Sequence, residues 1–215
     1  MTPAAPTSKG AATRDMIVER AYMIAASAGL EGLSIGPLAD TVGMSKSGVF
    51  AHFGSREDLQ LAVLDTAALR FGEHTLIPAL KAGRGLPRLR AIFANWLDWL
   101  RQDRGGCLLL TAVSEYDDRP GPLRDRVLMH HQRWRSELVR AIGMAMAAGE
   151  LRGDLDAGQF SFEINAIALA VQHDMAITDI DAASAHGQRM FDRLLLGYLP
   201  EPQPQPQPQP LPHQD

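Results

Sequence analysis

The feature that most constrains the fold of this 215-residue chain is the spacing of small and apolar residues from Ser34 to Phe53. Two short helices that cross at a steep angle need a small residue at the crossing and a residue that tolerates positive φ where the chain reverses. Ala39 and Gly43 meet these needs, and Val49 lies four residues before Phe53, on the same face of the second helix. The pattern predicts a helix-turn-helix.

The outer face of this second helix is left free to meet a partner. Ser45 is placed to cap the helix, and the outer face then carries Lys46, Ser47, Gly48, Phe50 and His52. A helix N-terminus with unpaired N–H groups, hydroxyls and a lysine, and with little side-chain bulk, suits the phosphate-lined major groove. The segment therefore indicates double-stranded DNA as a partner.

Charge limits the kind of DNA binding that we expect. The net charge is −4 and the isoelectric point is about 6.0, whereas proteins that coat nucleic acid without selectivity carry a large basic surplus. Residues 1–56 contain five Lys or Arg and four Asp or Glu. We therefore expect local contacts, a modest non-specific affinity and dependence on dimerisation.

Helical periodicity of the apolar residues runs from Thr13 to Leu199, and no segment alternates in the manner of a strand. The sequence therefore predicts an all-α fold. A first helix is expected at 13–28, Ser34 and Ser55 are expected to cap the second and fourth helices, and bundle helices are expected at 87–102, 107–117, 122–148, 156–178 and 181–198.

Four segments are expected along the chain. They are a disordered arm at 1–12, a helix-turn-helix domain at 13–59, a helical ligand-binding and dimerisation domain at 60–199, and a disordered Pro-Gln tail at 200–215. Cys107 is the only cysteine, and neither a secretory leader nor a membrane-length apolar run is visible. We expect a cytoplasmic protein without a membrane partner.

The N-terminal quarter of the chain resembles the TetR family of ligand-gated bacterial repressors. The residues that carry the resemblance are Thr13-Arg14, Ile17, Ala21, Gly29, Leu33-Ser34-Ile35, Leu38-Ala39, Val42 to Phe50, His52-Phe53 and Ser55 to Leu59. The resemblance implies DNA contacts by Ser34, Ser45, Lys46, Ser47, Gly48, Phe50, His52 and Arg56. Gly36 and Phe50 stand where the family often has an arginine and an aromatic hydroxyl, so Lys46 and Arg56 are expected to supply more of the electrostatic attraction.

The central helices offer candidate residues for an effector site. Trp96, Trp99, Trp134 and Tyr116 can form rigid walls around an apolar ligand, and core packing is the simpler explanation for each tryptophan. Cys107 opens a helix after two glycines, and His173 lies beside Asp174 in an otherwise apolar helix. We include both as candidates, with a small buried packing residue as the alternative for the cysteine.

The last two helices are predicted to pair two copies of the chain. Their apolar residues exceed what one thin bundle covers, and the candidate interface consists of Phe160, Ile164, Ile167, Val171, Met190 and Leu194. A two-fold dimer would place both recognition helices on one face of an inverted-repeat operator. A small, largely apolar effector would then release the repressor from DNA.

The sequence shows no enzymatic or metal-binding motif. It contains neither a G-x-S-x-G elbow nor a phosphate-cradling glycine loop, and the adjacent His130 and His131 would point about 100° apart on a helix. We expect no catalysis, cofactor or metal. The alternative function is a dimeric helical ligand-binding or enzymatic protein that does not read DNA; Gly36 and Phe50 favour it, and the segment 45–48 opposes it.

Overall fold

A computed structural model describes residues 9–102 and 107–200. Within these ranges the chain forms nine α-helices and no strand, so the predicted all-α fold is confirmed. The helices are α1 (Lys9–Ala28), α2 (Ile35–Thr41), α3 (Lys46–Phe53), α4 (Arg56–Ala79), α5 (Leu86–Gln102), α6 (Leu108–Tyr116), α7 (Pro122–Ala147), α8 (Ala157–Met175) and α9 (Ile180–Leu196). None of these helices is both long and apolar enough to cross a bilayer.

The helix boundaries differ from the predicted ones at two places. Helix α1 begins at Lys9 rather than at Thr13, so residues 9–12 of the predicted arm are helical. Helix α8 ends at Met175 rather than at Thr178, because the amides of residues 176–178 turn back to the carbonyls of His173 and Asp174. Residues 1–8 of the predicted arm and 201–215 of the predicted Pro-Gln tail lie outside the described residues.

The turn between α2 and α3 forms as the sequence predicts. Gly43 has a φ of +66°, a left-handed conformation that a side chain would disfavour. The Met44 amide donates to the Ala39 carbonyl at 2.9 Å and closes the turn. Ala39 is 1 % exposed and Val49 is fully buried. The small residue of α2 and the inner face of α3 therefore both belong to the core of the N-terminal part formed by α1, α2 and α3, which we call the head.

Helix α4 passes through both apolar cores of the molecule. One core joins α1, α2 and α3 to Leu59, Val63 and Leu64 of α4, and it also includes residues of α6 and α7. The other core joins Phe71 of α4 to α5, α7, α8 and α9. The predicted domain boundary between residues 59 and 60 therefore falls inside one continuous helix.

Helix α9 lies close against α8 at a glycine. A Cβ added to Gly187 would lie 2.4 Å from Cγ2 of Val171 and 3.3 Å from Cδ2 of Leu97. Only a residue without a side chain allows this approach. The contact fixes which faces of α8 and α9 point inward and which remain on the surface.

Candidate functional site

The N-terminal turn of α3 is built as the sequence predicts. Ser45 stands at the N-cap, and its Oγ accepts a hydrogen bond from the Gly48 amide at 3.1 Å. Ser47 Oγ lies 3.0 Å from Ser45 Oγ. Val49 is fully buried and Phe53 is 7 % exposed, so the inner face of α3 is anchored in the head. This anchoring holds the outer face toward solvent.

Most side chains predicted to contact DNA are exposed on or beside this face. Those exposed are Ser34, Ser45, Lys46, Ser47 and Phe50, and those partly buried are Gly48 and His52. Gly36 has a steric role, since a Cβ there would lie 3.3 Å from Cε of Lys46. Ser34 occupies the N-cap of α2, but its side chain makes no capping hydrogen bond. This corrects the predicted capping role of Ser34.

Arg56 differs from the other predicted DNA contacts because its guanidinium has partners within the head. Its Nε donates to the Leu33 carbonyl at 2.8 Å and its Nη2 donates to the Glu31 carbonyl at 2.6 Å. The same Nη2 lies 3.5 Å from Oε2 of Glu31. These bonds tie the start of α4 to the loop before α2. Arg56 therefore has a positioning role within the head, and its contact with DNA stays a prediction.

A small cavity lies between α4, α5, α6 and α7. Its volume is about 20 Å³, which is room for about one water molecule. The walls are mostly aliphatic and aromatic. Because the space between them is so small, a larger ligand can enter only if the walls move apart. The lining residues are Leu64, Phe71, Trp96, Cys107, Leu109, Leu110, Val127, His130, His131 and Trp134.

The predicted ligand residues divide into those at the cavity and those elsewhere. Trp99 packs edge-on against Phe71, with ring centroids 6.0 Å apart, and is not part of the lining. Tyr116 is buried in the head core, and His173 is exposed on α8. These three positions are removed from the candidate ligand set. The residues that line the cavity are Trp96, Cys107 and Trp134.

Two adjacent histidines of α7, His130 and His131, line the cavity, and no pattern in the sequence predicts a ligand site at these positions. His130 Nε2 lies 2.8 Å from Oδ1 of Asp65 on α4, and Arg126 contacts the other oxygen of that carboxylate. Burial alone would raise the pKa of Asp65, but the hydrogen bonds from Arg126 and His130 lower it. Burial and the nearby Arg135 lower the pKa of His131, so this ring is neutral at pH 7. The pairing of α4 with α7 is tertiary and has no sequence signature.

Helix α6 connects the cavity with the head. Its first turn lines the cavity, and its last turn bonds to the loop between α1 and α2. Glu115 Oε2 accepts from the Leu30 amide at 2.9 Å, and the Tyr116 hydroxyl donates to Glu31 Oε1 at 2.6 Å. Gln60 of α4 is 3 % exposed and donates to the Leu30 carbonyl at 2.7 Å. Movement of α6 or α4 therefore acts on the segment that leads into α2.

The charges of this network are set by its hydrogen bonds. The bond from Tyr116, aided by the positive charges of Arg56 and Arg119, lowers the pKa of Glu31 against the opposing effect of burial. Burial raises the pKa of Glu115. Burial and the bond to Glu31 raise the pKa of Tyr116. At pH 7 Glu31 is an anion and Tyr116 is a neutral donor.

We expect Tyr116→Phe to lower the free energy of unfolding by about 1 kcal/mol at pH 7, because a half-exposed carboxylate loses a hydrogen bond. The pKa of Glu31 is lower in the folded protein than the ordinary value of 4.5 for a glutamate. The stabilisation is therefore present above the unfolded pKa and is lost as the pH falls through the folded pKa. Urea unfolding at fixed protein concentration should show that the gap between variant and wild type narrows in acid.

Glu31→Gln provides the control for this prediction. In a double-mutant cycle, Tyr116→Phe should cost less in the Glu31→Gln background, and the remaining cost should not change between neutral and acidic pH. An equal effect of Tyr116→Phe at both pH values in the wild-type background would contradict the assigned bond.

The predicted dimer residues lie on two different faces of α8 and α9. Four of them are at most 3 % exposed and belong to the protomer core: Phe160, Ile164, Ile167 and Val171. Their predicted assignment to a dimer interface is therefore corrected. The outward apolar residues of α8 include Phe162, 56 % exposed, and Leu169, 50 % exposed. Met190 and Leu194 border an outer groove of about 440 Å³ between α8 and α9. We use the name outer α8–α9 face for these four outward side chains together: Phe162, Leu169, Met190 and Leu194.

Comparison with protein families gives one match to each part of the chain. Residues 17–63 match the family described as bacterial regulatory proteins, tetR family. Residues 85–191 match the tetracyclin repressor-like C-terminal domain. Together the two matches cover the head and most of the central helices. No curated protein matches the chain.

Several solved structures are similar over nearly the whole chain. A TetR-family transcriptional regulator from Cytophaga hutchinsonii has a TM-score of 0.80 at 22% identity, with 92% of this chain and 100% of that chain covered. A TetR transcriptional regulator from Chloroflexus aurantiacus has a TM-score of 0.73 at 26% identity, with 87% and 94% covered. AibR, in complex with isovaleryl coenzyme A and operator DNA, has a TM-score of 0.66 at 19% identity, with 87% and 98% covered.

Proposed function

The chain belongs to the TetR family of DNA-binding transcriptional regulators, and from this premise we propose that it is a homodimeric repressor whose operator affinity falls when a small molecule occupies the central cavity. In this proposal α3 reads the DNA, and the outer α8–α9 face pairs two copies. Helices α4 and α6 connect the cavity to the head.

The observation that carries the proposal is the N-terminal turn of α3. Its first amides point out of the helix beside the exposed Lys46 and Ser47, and Ser45 fixes the turn through its bond to the Gly48 amide. Free N–H groups and a lysine at a helix N-terminus attract phosphate. Phe50 is 40 % exposed on the same helix, where its ring can contact the methyl group of a thymine.

The dimer supplies the affinity that the weakly charged head lacks. A two-fold pairing through the outer α8–α9 face presents two copies of α3 to the same side of the duplex. Recognition helices that read successive major grooves lie about 34 Å apart. We therefore propose that the operator is an inverted repeat with half-sites one helical turn apart.

The small cavity supports a release mechanism. It is lined by α4, α6 and α7 as well as α5, and at about 20 Å³ it cannot admit an effector without widening. Widening separates α4 from α7 or shifts the first turn of α6. Both helices are hydrogen-bonded to the loop between α1 and α2. The bond from α4 is made by Arg56, and the bonds from α6 are made by Glu115 and Tyr116. An effector that binds the widened state more tightly than the closed state shifts the population away from the DNA-bound geometry.

The test of the proposed function is a titration of the purified protein against the DNA upstream of its own coding sequence, with a scrambled duplex of equal length as control. We expect tight, selective binding by a dimer, with an affinity that falls steeply as salt rises. Equal weak binding to both duplexes would contradict the operator proposal and favour a helical ligand-binding protein that does not read DNA.

We expect Lys46→Ala to weaken operator binding by about tenfold, because one charge-assisted phosphate contact is lost from each head. The slope of log affinity against log salt should fall by about 1 per protomer. Lys81→Ala is the matched control, since Lys81 is equally exposed but lies beyond the end of α4. Fluorescence anisotropy over a salt series measures both quantities; an unchanged slope in Lys46→Ala would exclude this lysine as a phosphate contact.

A further inference from the structure

All three tryptophans of the chain have a buried indole N–H with no hydrogen-bond partner. These are the Nε1 atoms of Trp96, Trp99 and Trp134. A buried donor without an acceptor is unfavourable, and most such groups in native proteins find a protein or water partner. Two of the three indoles line the central cavity, whereas Trp99 does not.

The two cavity indoles are held in place by a tight aromatic cluster. Trp96 is 1 % exposed and Trp134 is 8 % exposed, and their ring centroids are 4.9 Å apart at an interplanar angle of 80°. Phe71 packs edge-on against both, at 5.9 Å from Trp96 and 4.7 Å from Trp134. The donors are therefore fixed before any ligand arrives.

The remaining walls of the cavity offer no unpaired charge. The lining is aliphatic or aromatic except for Cys107 and the two histidines. His130 is engaged by Asp65, and His131 is neutral at pH 7 because burial and Arg135 lower its pKa. A charged ligand would lose its hydration without gaining a counter-charge. The chemistry of the lining thus combines fixed donors with an apolar, uncharged surround.

Resting on the proposed function, we propose that the effector is an uncharged molecule with an apolar body and a carbonyl or ether oxygen, and that this oxygen accepts hydrogen bonds from the indole N–H groups of Trp96 and Trp134. The apolar body fills the space that opens when the lining side chains move apart, and the oxygen accepts hydrogen bonds from the two indole N–H groups. Trp99 has the same orphan donor but no access to the cavity, so it serves as an internal reference.

The proposal is tested on the full-length protein by NMR, since its three indole N–H groups give three resonances that single Trp→Phe variants assign. The probes are acetophenone, which has a carbonyl acceptor; ethylbenzene, which has a similar body without one; and benzoate, which is charged. We expect acetophenone to shift the resonances of Trp96 and Trp134 but not that of Trp99. It should bind at least about fivefold more tightly than ethylbenzene, since about fivefold is the preference expected when only one of the two buried donors is satisfied. Benzoate should not saturate the site.

The variants separate hydrogen bonding from packing. In the Trp96→Phe/Trp134→Phe protein, which keeps aromatic rings at both positions, the preference for acetophenone over ethylbenzene should disappear. In Trp99→Phe the preference should remain. If both probes bind wild type equally, the N–H groups point at the face of Phe71 or another ring and the proposal is wrong. Absence of binding by both neutral probes would also overturn it.

This experiment contains no DNA, so its outcome is separate from that of the operator titration. If the protein binds acetophenone selectively but does not select its upstream DNA, the proposed cavity chemistry stands and the proposed repressor function is wrong. If the protein binds its operator selectively but does not distinguish acetophenone from ethylbenzene, the proposed repressor function stands and the proposed hydrogen bonds from the indoles to the effector are wrong.

Discussion

Replacing Phe162 and Leu169 with aspartate should convert the proposed homodimer into monomers and weaken operator binding by at least about 100-fold, because linking two half-sites raises affinity by that much or more. Both side chains are at least half exposed on the outer surface of α8, so the change leaves the protomer core intact. In the proposed dimer the new carboxylates would be buried against apolar groups of the second copy.

The oligomeric state is measured by sedimentation and the operator affinity by anisotropy. Ile77→Asp/Leu80→Asp is the matched control: it adds the same charge at apolar side chains that are 57 % and 60 % exposed at the end of α4. The control should remain dimeric and bind normally. An unchanged helix content of both variants by far-ultraviolet circular dichroism would show that the fold is intact, whereas the melting temperature of the monomeric variant is expected to fall because dimerisation stabilises the folded state. A dimer that survives both aspartates on α8 would show that another surface pairs the two copies.

We expect Phe71→Ala to lower the free energy of unfolding by about 3–5 kcal/mol and the melting temperature by about 10 °C. Phe71 is 5 % exposed and contacts the rings of Trp96, Trp99 and Trp134. Its removal withdraws these contacts and enlarges the existing cavity. Because the new space is apolar, benzene should raise the melting temperature of this variant by more than it raises that of the wild type.

Phe50→Ala is the matched control for this substitution, because Phe50 is 40 % exposed on α3. It should alter the unfolding free energy by no more than about 0.5 kcal/mol. Both variants are compared by thermal unfolding at one protein concentration, since the midpoint of the proposed dimer would depend on concentration. A loss below about 1 kcal/mol in Phe71→Ala would mean that the indoles collapse into the space and that Phe71 does not organise the cavity.

The head was predictable because its determinants are local. The Ser45 cap, the Gly43 turn and the Val49–Phe53 spacing act over a few residues, and each of them forms as predicted. The capping bond from the Gly48 amide joins residues three positions apart. Such features follow from backbone geometry and side-chain type without knowledge of the rest of the fold.

The role of Arg56 was not predictable in the same way. An arginine beside a recognition helix has five donors that suit phosphate as well as backbone carbonyls. Its partners, the carbonyls of Glu31 and Leu33, lie 25 and 23 positions earlier in the chain. Which acceptor it meets depends on how the loop before α2 returns to α4.

The sequence by itself determined the all-α architecture, the approximate positions of the helices and which face of α3 is exposed, because helical periodicity, caps and glycine turns are local properties. Only the tertiary structure decided which apolar face of α8 is core and which is surface. Phe160 and Phe162 are two residues apart on a helix that is apolar on several sides, yet Phe160 is fully buried and Phe162 is 56 % exposed. The close approach of α9 at Gly187 and the packing of α5 and α7 select the inward face. The cavity likewise exists only where α4, α6 and α7 meet, since its lining comes from residues far apart in the chain.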